Sequence, residues 1–96
     1  MAFKLLYLED ALADLEVVFN WSREKHPGST DRFATDLFNH LELLTAFPHV
    51  GTPIQGEPNV RRLLHSPLYV YYRVDEAREA IQILHLWHRS RRQPKL

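Results

Sequence analysis

The side chains best able to do chemistry gather near the C-terminal end, where His85, Trp87, His88, Arg89, Arg91 and Arg92 fall within eight residues. Upstream, Tyr69, Tyr71 and Arg73 recur at a spacing of two. Residues i and i+2 of an extended strand share a face, so Tyr69, Tyr71 and Arg73 project together, as do Ile83, His85, Trp87 and then Arg89. If Arg62 points the same way, that face interleaves cations with aromatic rings, a pattern suited to phosphates and stacked bases. A structural reading competes with it. Tyr69, Tyr71, Tyr72 and Trp87 are ordinary strand formers that also pack cores and rims. The arginines could equally be a solvated terminal run or a dock for an acidic partner. His85 and His88 point to opposite faces of a strand, and with no cysteine and no third spaced ligand a metal site is not expected. Nucleophile-elbow, P-loop and dinucleotide fingerprints are absent, and no cofactor is expected.

These residues must be held by a scaffold that the pattern of the chain outlines. Leu68 to Val74 and Ile81 to His88 are two β-branched and aromatic runs separated by the turn Asp75 to Glu79, which predicts an antiparallel hairpin. Val60 to His65, ending at Ser66-Pro67, predicts a third strand before it. Within the hairpin, Val70, Tyr72 and Val74 share the side away from Tyr71, and Leu84 and Leu86 are expected to join them against helices. Phe3 to Leu8 predicts a further strand. Asp10 to Lys25 predicts a helix with acids at its start and bases at its end, matching the helix dipole. Its apolar stripe is Leu12, Leu15, Val18, Phe19 and Ser22. Pro27-Gly28 stops it, and Ser29 is placed to cap a second helix whose buried stripe is Phe33, Ala34, Leu37, Leu41 and Leu44, with Phe38 and Phe47 at its border. Phe47-Pro48 ends that helix, and a long Pro- and Gly-containing connection follows to Pro58. The order is βααβββ, an α+β domain in which a helical hairpin packs on one face of a small antiparallel sheet.

Length and charge bound what such a domain can be. Its 96 residues suit one domain spanning 1–96, large enough to fold without metal or disulfide. With no cysteine, no signal-like N-terminus and no apolar run of membrane-spanning length, a cytoplasmic protein without membrane contact is expected. The net charge of zero conceals an asymmetry. Residues 1–58 hold four Lys/Arg against nine Asp/Glu, a net of −5, and residues 59–96 hold eight against three, a net of +5. Local potential steers association more than the total does, so the basic half could attract an anionic partner. Alternatively, acidic helices pair with basic strands inside the fold.

The element order, Val60-Arg61-Arg62-Leu63, the run from Tyr69 to Val74 and the run from Ile83 to Pro94 together resemble the RelE/ParE superfamily of toxins from bacterial type II toxin–antitoxin modules. The resemblance covers nearly the whole chain, including the turn from Phe47-Pro48 to Pro53. It implies a small toxin held inactive by a cognate antitoxin whose C-terminal segment wraps it. An acidic or amphipathic segment would then cover the Arg89 to Arg92 cluster. The oligomeric state is open.

The superfamily has two branches with different targets. RelE-like members cut mRNA in the ribosome, the 2′-hydroxyl attacking the adjacent phosphate, which needs a proton acceptor, cations and a leaving-group donor. The resemblance puts Val60 and Arg62 where such enzymes carry two lysines, Tyr69 at their first arginine and Arg89 at their second, and no tyrosine follows Arg89. A substitute set would use His85 as base and Arg62, Arg73 and Arg89 on the phosphate, with His88 or Tyr71 nearby. ParE-like members inhibit DNA gyrase and need no catalytic residues. The ending His88-Arg89-Ser90-Arg91-Arg92 resembles ParE-like and plasmid-stabilisation members more closely and favours that branch. Arg89, Arg91, Arg92, Trp87, His88, Tyr71 and Tyr69 are then the expected binding residues. A non-toxic remnant that only binds its antitoxin is a third reading.

Overall fold

The computed structural model describes residues 2–96. Strand β1 (Lys4–Tyr7) leads into helix α1 (Glu9–Lys25) and helix α2 (Thr30–Glu42), which ends in a single 3₁₀ turn, Leu43–Thr45. A two-residue strand β2 (Thr52–Pro53) precedes β3 (Val60–His65), β4 (Leu68–Asp75) and β5 (Ala80–His88). The sheet order is β1-β5-β4-β3-β2. The sheet is mixed rather than wholly antiparallel: the helical pair carries the chain back across one face, so β1 lies parallel to β5, Lys4 opposite Ala80 and Tyr7 opposite Ile83. The other pairings are antiparallel. β2 falls inside the stretch expected to be a plain connection.

Both helices form where acids lead and bases follow. Glu9 and Asp10 open α1 and Arg23 and Lys25 close it. Its buried face is Ala11, Leu15, Val18 and Ser22. Leu12, expected in that stripe, is 55 % exposed, because Ala11 at the matching angular position lets the helix lie close to the sheet and rotates Leu12 to solvent. Ser29 precedes α2, but its hydroxyl donates to the His26 carbonyl (3.3 Å) instead of capping the helix. Leu37, Leu41 and Leu44 are buried as the period of the sequence implies, with Phe33 packed against them.

The main core lies between the helices and the sheet. It joins those leucines to Val70, Tyr72, Val74, Ile81, Ile83 and Leu86. The β4 side of this core follows simple alternation, whereas β5 does not. Tyr71 pairs with His85 and Tyr72 with Ile83, which leaves Leu84 as the extra residue of a β-bulge. The bulge inverts the expected parity: Ile83 faces the helices with Leu86, and Leu84 turns to the opposite face beside Tyr71.

A second, smaller cluster occupies that opposite face. Ile54, Val60, Tyr71 and Leu84 are buried together, with Tyr69, Trp87 and Leu96 packed against them. Tyr71 is only 2 % exposed. The loop before β3 is tied down from the sheet. The Tyr72 hydroxyl accepts from Gly51 N–H (2.9 Å) and donates to the Pro48 carbonyl (2.9 Å), and Arg61 donates to the carbonyls of His49 (2.9 Å) and Gly51 (2.7 Å). A Cβ on residue 51 would stand 2.6 Å from the Tyr72 hydroxyl, which explains glycine there. Among the described residues no helix is long and apolar enough to cross a membrane.

Candidate functional site

The open face of the sheet carries residues in cross-strand rows. Arg62 of β3, Tyr71 of β4 and His85 of β5 form one row, and Leu64, Tyr69 and Trp87 the next. Arg62 leans out of its row and sets its guanidinium 4.0 Å over the Tyr69 ring. Arg91 does the same to Trp87 at 3.5 Å. Cations over aromatic faces are held by the ring quadrupole, so both arginines sit pre-placed rather than free in solvent. The Trp87 ring lies 5.3 Å from that of His85, which links the band of stacked cations to the imidazole.

His85 is held by a residue 71 positions earlier. Its Nδ1 is 2.9 Å from Asp14 Oδ2, and the same oxygen accepts the Leu86 backbone N–H at 3.1 Å. β1 covers β5 only as far as Ile83, so beyond it the strand edge is free, and Asp14 on α1 satisfies an edge N–H that no strand reaches. The bulge at Leu84 brings His85 to this carboxylate. With a carboxylate as partner Nδ1 carries the hydrogen, leaving Nε2 as an acceptor in the neutral ring. Asp10, one helical turn before Asp14, reaches within 4.0 Å of Nε2. His85, Asp10, Arg73, Leu84, Lys95 and Leu96 enclose a cleft of 170 Å³.

The residues singled out by sequence therefore separate. His85 and Arg73 share the small cleft, where Arg73 also reaches Gln82 Oε1 (3.4 Å). Arg62 stands two strands away, about 10 Å at ordinary sheet spacing. Arg89 lies beyond the end of β5, its backbone N–H bonded to the Pro67 carbonyl (2.8 Å) and its side chain exposed. Tyr71 belongs to the floor of the face, sealed by Ile54 and Leu84, and offers no contact surface. Tyr69 and Trp87 are half-buried. His88 is exposed, with Nδ1 against the Ser90 hydroxyl (2.7 Å). Arg89, Arg91 and Arg92 are exposed, and among the described residues none lies within 4.0 Å of a carboxylate. The alternative in which acidic helices neutralise this basic cluster is thus not realised.

Sequence reasoning missed Asp14, Trp21 and Arg61. Asp10 and Asp14 one turn apart on a helix were a weak sign of a shared carboxylate face. Trp21 stands with Val17 on α1 above the ends of β4 and β5. Together with Val18, Leu68, Leu86, Trp87, His88, Arg91 and Asp14 they line a mainly apolar groove of 320 Å³. A larger hollow of 460 Å³ beside β3 holds His49, Glu57 and Arg61. It lies away from the stacked band, and its arginine is committed to loop carbonyls.

The comparisons with known proteins follow this geometry. The family model described as the ParE toxin of the type II toxin–antitoxin system parDE matches residues 5–93. The chain belongs to the ParE toxin family. Among solved structures, the chromosomal ParDE toxin–antitoxin system of P. aeruginosa is similar at TM-score 0.75 and 25 % identity, covering 91 % of this chain and 96 % of that one. The RelBE2 toxin–antitoxin complex of Mycobacterium tuberculosis matches at TM-score 0.65 and 20 % identity, covering 93 % and 100 %. The intact E. coli RelBE complex matches at TM-score 0.65 and 22 % identity, covering 94 % and 100 %. The last two relate this ParE-family chain to RelE-type toxins in fold alone. No curated protein sequence matches the chain.

Proposed function

We propose that this chain is the toxin of a type II toxin–antitoxin pair, inhibits DNA gyrase and is neutralised by a cognate antitoxin. The observation that carries the reading is the ParE family match over residues 5–93. The open face supports the same branch. At positions where the RelE resemblance would place phosphate-holding cations, Val60 is sunk in the second cluster and Tyr69 lies beneath Arg62. Inhibition by binding needs no proton transfer, only an exposed surface. The arginines at the end of β5, free of carboxylate partners, supply one with a field that steers an anionic partner.

The His85–Asp14 pair favours one second reading, RNA cleavage. There, Nε2 would take the proton from a 2′-hydroxyl as its oxygen bonds the adjacent phosphorus, Arg73 and Lys95 would offset the charge gathering on the phosphoryl oxygens, and the 5′-oxygen would leave protonated. That cleft lacks Arg62 and Arg89 from the expected set.

Two matched reactions with purified chain freed of antitoxin test both readings: plasmid supercoiling by gyrase, and translation with primer-extension mapping of the message. The expected result is blocked supercoiling with intact mRNA. Ribosome-dependent cuts with normal supercoiling would overturn it and make His85→Ala and Arg73→Ala the next variants. Normal outcomes in both would leave a chain that only binds its antitoxin.

A further inference from the structure

Two features already described meet at one place: the apolar groove between α1 and the ends of β4 and β5, and the unneutralised arginines that follow β5. The groove is walled by Trp21 and Trp87, the only tryptophans in the chain. Its lip on α1 is Val17, 67 % exposed, an unusual place for a branched aliphatic side chain on a helix otherwise charged outward. At its other lip Arg91 lies flat on Trp87, its guanidinium edge still open to solvent. Asp14, the one acid in the lining, is occupied by His85 and Leu86 N–H and does not neutralise Arg91.

We infer that this groove is the seat of an amphipathic antitoxin segment, with aliphatic side chains between Trp21 and Trp87 and two or three carboxylates over Arg91, Arg89 and Arg92. The inference rests on the antitoxin reading above and specifies its docking chemistry. Charge complementarity selects the occupant: the apolar floor alone would accept many partners, but three exposed arginines at one lip favour a segment with acids along one edge. A carboxylate meeting Arg91 finds it already oriented by Trp87, so little side-chain freedom is lost on pairing.

The test is a competition between differently tagged full-length chains for a limiting amount of the antitoxin, with the bound ratio read after pull-down. Val17→Glu places an acid at the apolar lip, and Arg91→Glu reverses the charge on the opposite one. Each is expected to lose at least about tenfold against wild type. Phe47→Glu, a change of the same kind on an exposed residue away from the groove, is expected to compete equally. Thermal melts confirm that all three fold, since each altered side chain is exposed. Wild-type capture with Val17→Glu and Arg91→Glu competing as well as wild type would overturn the groove assignment alone. Failure of wild-type chain to capture the antitoxin would overturn the antitoxin reading beneath it.

Discussion

The two faces of the sheet have opposite constructions. On the helix side, Val70, Tyr72, Val74, Ile81, Ile83 and Leu86 meet the leucines of α2 and the buried residues of α1 in one continuous apolar layer. On the open side only Ile54, Val60, Tyr71 and Leu84 are buried. Around them Arg62 covers Tyr69 and Arg91 covers Trp87. The same strands supply both, by alternation. One face therefore holds most of the stability, and the other presents charge and aromatic surface at little cost to folding.

This contrast is breakable from the helix side first. Leu41→Ala, which empties a fully buried site, is expected to lower stability by about 2–5 kcal/mol by denaturant titration. A loss below 1 kcal/mol would mean the helix-side core is not the principal one. Gly51→Ala tests how firmly Tyr72 anchors the loop from the core. The added methyl meets the Tyr72 hydroxyl at 2.6 Å and the Arg62 carbonyl at 2.9 Å, and a loss of about 1–3 kcal/mol is expected. Unchanged stability would mean the loop shifts freely.

Arg91→Ala should do little to folding. Its stack on Trp87 is exposed, and a change within about 1 kcal/mol is expected in the same titration. A larger loss would show the open face to be structural, erasing the comparison.

The smallest effect is one of pH. His40 and His65 face each other Nδ1 to Nδ1 at 2.8 Å between α2 and β3, with Phe33 against His65. Burial lowers the His65 pKa below its ordinary 6.5, the neighbouring His40 lowers it further, and Asp36 pulls the other way. The unfolded chain therefore binds its proton first. The contribution is fully present above the unfolded value and is lost as pH falls through 6.5 and past the folded pKa. Stability measured from pH 7.5 to 5 should fall more steeply for wild type than for His65→Gln. Equal slopes would remove His65 as the cause.

Much of the frame was legible in the chain itself. The strands ending at His65 and His88 and both helices fall where period and punctuation put them, because those signals are local. The inward set Val70, Tyr72 and Val74 follows from alternation in an unbroken strand. The same rule failed on β5, since a bulge costs one residue of register and leaves no mark in the hydrophobic pattern. Thus Ile83 and Leu84 exchange faces. Tyr71 shares its strand parity with Tyr69, yet one is floor and the other rim. Only the folded loop bearing Ile54 and the inserted Leu84 make that distinction.

The sequence by itself determined the elements, the concentration of positive charge after β5 and the resemblance to RelE/ParE toxins, because each is carried by neighbours along the chain. Tertiary structure alone decided that β1 runs parallel to β5, that Asp14 holds His85 across 71 residues, and that Trp21 and Trp87 wall one groove. The reason is physical. Such contacts depend on where the helical pair sets the two ends of the chain against each other, and no periodicity or turn signal spans that distance.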